Sequence, residues 1–232
     1  MVAYFAKMIH VTPPQALHLA MLPTATKQAF LSCIEMDIFS GGGWYLAGGT
    51  ALALQTGHRV SVDLDFFTTE ADFDADQIER ALRERGEWVT TLREKGTLYG
   101  IFQGAKVSFI AYPSFRPSDE ALQCQTVRLI VPRDIAVMKI VAVSQRGKKR
   151  DFFDLYWLAH NGRGLEEALL GALEQFGNRE HSLPHFLKSL VYFVDAEDDP
   201  MPEISFVADW EEVKKYFETT VSTLAKKMLQ LS

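Results

Sequence analysis

The sequence is poor in cysteine, in unbroken apolar runs and in net positive charge, and each shortage removes a class of protein. Cys33 and Cys124 are the only cysteines in 232 residues, too few for a disulfide framework and too sparse for a cysteine-based zinc site. A reducing, cytoplasmic setting is the expectation. No window reaches eighteen uninterrupted apolar residues, so no membrane-spanning helix and no membrane partner are expected. The opening MVAYFAKMIHVTPPQAL lacks the plan of a secretory signal. The formal net charge is −6, so no global field draws the chain to nucleic acid or an anionic membrane, and any basic site must be local. Three motif searches fail: no Gly-x-x-x-x-Gly-Lys-Ser/Thr loop, no His-Glu-x-x-His pair and no Gly-x-Ser-x-Gly elbow. His181 and His185 stand four apart, but Pro184 interrupts the helix that would align them, and they read as surface residues.

What is present is enough apolar residue, 47%, to bury a real core in one large or two modest domains. Apolar periodicity predicts a helix from Thr24 to about Met36, and Trp44 to Ala47 reads as a short strand. A Gly48-Gly49 turn follows, then a compact helix over Thr50 to Thr56 closed by Gly57. Val60 to Phe67 alternates, with Val60, Val62, Leu64 and Phe66 on the buried face and Ser61, Asp63, Asp65 and Phe67 on the other. Asp74 caps a helix to about Arg85. Glu87–Arg93, Thr97–Gln103 and Lys106–Tyr112 predict an antiparallel meander, and after a polar loop Val127 to Val131 reads as a strand. From Pro132 the pattern is helical: 132–144, 150–160, 165–176, 184–194 and 209–229. The stripe Val213, Phe217, Val221, Leu224 and Met228 suits bundle packing, and the acidic segment 195–200 suits an exposed loop. The expected division is an α/β half, residues 1–131, and a helical half, residues 132–232.

The alternating strand holds the first functional signal. Asp63 and Asp65 are two apart, so they share a face at roughly 6–7 Å. At an effective dielectric near 20 two such charges repel by roughly 2–3 kcal/mol, and Asp is among the poorest strand residues. A solvated strand face is the plain alternative. A divalent cation removes the repulsion, because Mg²⁺ binds one or two carboxylates together with substrate phosphates. Gly48 and Gly49 let a ligand approach the backbone, the following helix start offers N–H groups to phosphate, and Thr50 adds a hydroxyl.

A second constellation lies in the helical half. Lys139 sits within the apolar stripe Ile135, Met138, Ala142, where a lysine can also simply snorkel. Arg146, Lys148, Lys149 and Arg150 make a dense basic cluster that reads equally as a solvated loop, and Asp151 and Asp154 share a helical face.

YLAGGTALALQTGHR followed by SVDLDFF resembles the active-site signature of the nucleotidyltransferase superfamily, and more narrowly its AbiEii/AbiGii toxin-type branch from abortive-infection toxin–antitoxin systems. His58, Arg59 and Ser61 match the basic residue and serine that precede the aspartates there. Lys139, the basic segment and Asp151-x-x-Asp154-Leu155 resemble that branch's second block, so the likeness runs from about Tyr45 to His160. It implies a nucleotidyltransferase-like fold: a small, mixed, twisted sheet flanked by helices, then a helical bundle closing the nucleotide cleft. It implies transfer of a nucleoside monophosphate from an NTP to an RNA hydroxyl, tRNA included, or to a protein hydroxyl, with a cognate antitoxin as partner. Asp63 and Asp65 would hold Mg²⁺ or Mn²⁺. Gly48, Gly49, Thr50, Arg59, Ser61, Lys148 and Arg150 would bind the nucleotide's phosphates, and Lys139, Asp151 and Asp154 would complete the catalytic set. One departure stands out: Ser108 occupies the place on the strand KVSFIAYP where a third carboxylate is expected. That leaves open a catalytically silent nucleotide-binding module. A glycosyltransferase would need a preceding βα series for which there is no room, and a metal-dependent nuclease would consume no NTP.

Overall fold

The computed structural model describes residues 9–118, 120–177 and 182–229, and the chain divides into two compact units, residues 1–131 and 132–232. The first unit runs, in chain order, β1 (Ile9–Val11), α1 (Thr24–Cys33), β2 (Trp44–Ala47), α2 (Gly48–Thr56), β3 (Asp63–Thr68), α3 (Ala75–Arg85), β4 (Trp88–Glu94), β5 (Thr97–Phe102), β6 (Ala105–Ala111), β7 (Ala121–Cys124) and β8 (Val127–Ile130). Among the described residues the strands form one mixed sheet in the order β1-β7-β8-β2-β3-β6-β5-β4. β3 lies inside the sheet, antiparallel to β2 and parallel to β6. The strands β4, β5 and β6 form the antiparallel meander that alternation predicts.

Alternation in DLDFFT sorts β3 into two faces. Leu64, Phe66 and Thr68 are buried, whereas Asp63, Asp65 and Phe67 are only partly covered. On the buried side the Phe66 ring lies 4.5 Å from Phe39 and 5.4 Å from Phe109, and α1 packs against β3 and β6. Complete burial of one such side chain contributes about 1.5–3 kcal/mol. A slip of one residue would drive both aspartates into this aromatic layer, so core packing fixes the face on which they stand.

Three features of the first unit differ from the sequence reading. β1 and β7 were not expected: all three residues of β1 are exposed, and β7 buries Ala121 and Cys124 without strict alternation, so neither leaves a period-2 signature. Residues 60–62 precede the strand rather than open it. There Val62 is 47% exposed while Ser61 is buried, the reverse of the expected faces, because the Ser61 backbone N–H donates to the Met21 carbonyl. Gly48 and Gly49 are the first residues of α2 rather than a separate turn.

The second unit is helical: α4 (Pro132–Arg146), α5 (Lys149–His160), α6 (Leu165–Phe176), α7 (Leu183–Ser189), α8 (Val194–Glu197) and α9 (Trp210–Leu229). α4 packs against α5, α6 and α7, and α5 against α9. The Phe152 ring meets Phe193, Trp210 and Phe217 at 5.3, 5.6 and 5.2 Å. Val213, Phe217, Val221 and Leu224 are buried as their spacing predicts. The helix expected over 184–194 stops at Ser189, and the acidic segment expected as an exposed loop opens with α8, where Ala196 is buried. His185 is exposed, and His181 lies outside the described residues. No helix among the described residues is long and apolar enough to cross a membrane. The architecture is the mixed α/β sheet with a C-terminal helical region that the sequence predicts.

Candidate active site

In the first unit the turn from β2 into α2 sits directly against β3. Ala47 pairs with Asp65 across the antiparallel ladder, which carries the chain into Gly48 beside that carboxylate. Gly48 adopts φ +68°, and a Cβ placed there would lie 3.1 Å from Asp65 Oδ2. Gly49 is demanded by close approach: a Cβ on it would collide with the Arg59 guanidinium and lie 3.2 Å from Ser61 Oγ. The two glycines thus form a backbone cradle bounded by Asp65 and Arg59, which approach more closely than a Cβ would allow.

The hydroxyl of Thr50 is buried, donates to the carbonyl oxygen of Asp63 and lies 2.8 Å from Ser61 Oγ. It ties the start of α2 to the segment entering β3. Arg59 is buried, and its Nη1 donates to its neighbour's carbonyl, Val60 O, at 2.8 Å. His58 is likewise buried, with Nδ1 2.9 Å from Thr56 Oγ1. Asp63 Oδ1 is shielded from solvent. Seven predicted residues, Gly48, Gly49, Thr50, Arg59, Ser61, Asp63 and Asp65, therefore belong to one locality.

Asp65 has a partner that the sequence alone did not supply. Ser108, beside it in the parallel β3–β6 pairing, donates from Oγ to Asp65 Oδ1 at 2.6 Å. Among the described residues no three His, Cys, Asp or Glu side chains gather as a metal-binding group. Two carboxylates on one face of a strand, one of them beside Gly48, nevertheless suit a cation that takes one or two protein oxygens and completes its shell with water and phosphate.

In the second unit Lys139 is buried rather than snorkelling, with its side chain 6% exposed. Its Nζ lies 2.5 Å from Asp151 Oδ1 and 2.6 Å from Asp154 Oδ2, both carboxylates being fully buried. The three-residue spacing on α5 aims both acids at one point of α4. Arg146 Nη2 approaches Asp151 Oδ2 at 3.4 Å, so two cations balance two carboxylates. Lys148 turns to a different acid. Lys148 Nζ is 3.1 Å from Asp199 Oδ1, and Arg150 is exposed on α5. Asp199 also accepts the backbone N–H of Lys149 at 3.0 Å; that docking from 50 residues away carries no local signature in the sequence.

The sequence pattern of the family described as nucleotidyl transferase AbiEii toxin, type IV TA system, matches residues 29–97 and 105–227. The uncharacterized protein aq_aa25 of Aquifex aeolicus (strain VF5) is 37% identical over 181 residues, spanning 77% of this chain and 86% of the relative. Among solved structures, JHP933 from Helicobacter pylori aligns with a TM-score of 0.52 at 17% identity, over 90% of this chain and 96% of its own. MenT4, a nucleotidyltransferase toxin from Mycobacterium tuberculosis, aligns at 0.52 and 14% identity over 88% of this chain and 87% of its own. At these identities the two structures speak to the fold.

Proposed function

This chain belongs to the nucleotidyl transferase AbiEii toxin family of type IV toxin–antitoxin systems, and on that footing we propose that it moves a nucleoside monophosphate from an NTP to a hydroxyl of RNA, tRNA included, or of a protein. The observation that carries the reading is the placement of Asp63 and Asp65 together on the partly covered face of β3, with Asp65 set against the glycine start of α2. An acceptor oxygen attacks the α-phosphorus, a new P–O bond forms, the bond to the bridging oxygen breaks, and pyrophosphate leaves with the electron pair while the acceptor's proton passes to water. Chemistry of this type is carried by alignment and charge stabilisation rather than by a covalent enzyme intermediate.

Asp63 and Asp65 would hold Mg²⁺ or Mn²⁺, which when bound supplies positive charge against the phosphates. The N–H groups of Gly48 and Gly49 serve phosphate oxygens at the positive end of α2. Arg59, pressed against Gly49, adds a fixed cation, while Thr50 and Ser61 lock that segment to the helix. Lys139, Asp151 and Asp154, with Lys148 and Arg150, enter the proposed catalytic and phosphate-binding set through the family likeness alone; in the second unit Lys139 is buried between its two acids. A cognate antitoxin is the implied partner.

Ser108 favours one second reading, a nucleotide-binding module that transfers nothing. Incubation with each α-labelled NTP, Mg²⁺ and either total RNA or total protein separates the two. Label should enter one macromolecular pool with the wild type and vanish with Asp63→Ala and with Asp65→Ala. Nucleotide binding without transfer supports the silent module, and labelling by both variants at the wild-type rate removes the site.

A further inference from the structure

Where a third acid would complete the strand carboxylates, the sheet carries a hydroxyl. Ser108 lies beside Asp65 in the β3–β6 pairing and opposite Tyr99 in the β5–β6 pairing. Its neighbours Val107 and Phe109 are buried, so alternation along β6 commits Ser108 to the aspartate face. The 2.6 Å separation from Asp65 Oδ1 is in the range of hydrogen bonds to an ionised acceptor. The other oxygen of the same carboxylate, Oδ2, faces the Cα of Gly48. One carboxylate is therefore held by a donor at one edge and turned toward the helix start at the other. A carboxylate on a short side chain otherwise turns broadly about its last torsion.

We propose that Ser108 is a positioning residue: its hydroxyl fixes the rotation of the Asp65 carboxylate so that Oδ2 is presented to the glycine cradle, where a divalent cation and the NTP phosphates bind. The inference rests on the assignment of Asp63 and Asp65 to that cation. Ser108 on this view does not substitute for an acidic ligand; it makes two acids sufficient by removing the freedom of one of them.

The test uses the full chain and an isosteric pair, Ser108→Thr and Ser108→Val, which differ by the hydroxyl alone. Non-transferable α,β-methylene analogues of the four NTPs are titrated calorimetrically in Mn²⁺ and again in EDTA. Ser108→Val should weaken Mn²⁺-dependent binding by about tenfold or more, as loss of a hydrogen bond to a charged group predicts. Ser108→Thr should restore it to within a few fold, and binding in EDTA should be alike in the wild type and both variants. Ser108→Ala provides the same comparison should β-branching disturb β6, and must show the loss seen with Val. Equal Mn²⁺-dependent affinities for wild type, Ala and Val would overturn the role of Ser108 while leaving the carboxylate site intact. Absence of any Mn²⁺-dependent gain in the wild type would overturn the carboxylate site itself, and the role of Ser108 with it.

Discussion

Oδ2 of Asp65 faces the Cα of Gly48 so closely that a methyl group on that carbon would sit 3.1 Å from the oxygen. Gly48 also holds φ +68°, a region in which a Cβ costs roughly 1–2 kcal/mol. Gly48→Ala should therefore lower the denaturant midpoint by an amount corresponding to about 1–2 kcal/mol. Transfer should fall as well, because the Asp65 carboxylate must give way by a few tenths of an ångström, and misplacement of a positioning group by about 1 Å costs on the order of a hundredfold in rate. Urea titration and NMP labelling on the same preparation separate the two effects.

The two motifs that meet there are legible in the sequence, since a glycine pair ahead of a short helix and an Asp-x-Asp on a strand are local patterns with local causes, whereas the approach of Gly48 to Asp65 in particular follows from the β2–β3 register. The meander over β4 to β6 was legible for the same reason. What escaped was set by distant chain. The burial of Ser61 goes with its hydrogen bonds to Met21 and to Thr50 on α2, so alternation puts Ser61 and Val62 on the wrong faces. Ser108 was recognised as an anomaly, but its contact with Asp65 follows only once β3 and β6 are known to run parallel in one register. Lys139 was ambiguous because a stripe position says nothing of what stands opposite; α5 supplies two carboxylates there.

Removing Lys139 alone would strand two fully buried acids, with Arg146 reaching only Asp151. Lys139→Met should destabilise the fold by about 3–5 kcal/mol, the range for breaking one side of a buried ion pair. Adding Asp151→Asn and Asp154→Asn to Lys139→Met should recover part of that loss, since the uncompensated charges disappear together. Urea unfolding of the single, double and triple variants measures the coupling. Strict additivity across the series would show that the three groups do not act as one cluster.

The thiols should be inert in the native protein. Cys33 is fully buried, and burial pushes its thiol far above the ordinary range; burial likewise pushes Cys124 up to about 11. Thiolate is the reacting form, so a disulfide-exchange reagent at pH 8 should label neither cysteine on the timescale of minutes in the folded chain and both after denaturation. Rapid labelling of the native protein would show that one of these sites opens.

Asp199 ties the segment after α8 to the start of α5, and its titration should be visible in the acid limb of stability. Burial pulls its carboxyl upward, but the Lys149 N–H and the Lys148 ammonium outweigh that effect and hold it below the ordinary value of 3.8. Between the lowered native value and 3.8 the unfolded chain binds more protons than the folded one, so stability rises with pH across that window. The contribution is complete above the unfolded value and disappears as pH falls through the native one. With Lys148 and Asp199 partly exposed, the ion pair is worth about 1 kcal/mol or less. The thermal midpoint of Asp199→Asn should lie below wild type by up to about 2–4 °C near neutrality. The gap should hold steady well above 3.8 and close as pH falls through the lowered native value. A gap that widened on acidification would mean that the carboxyl is held above its ordinary value, reversing the balance between burial and the two lysines.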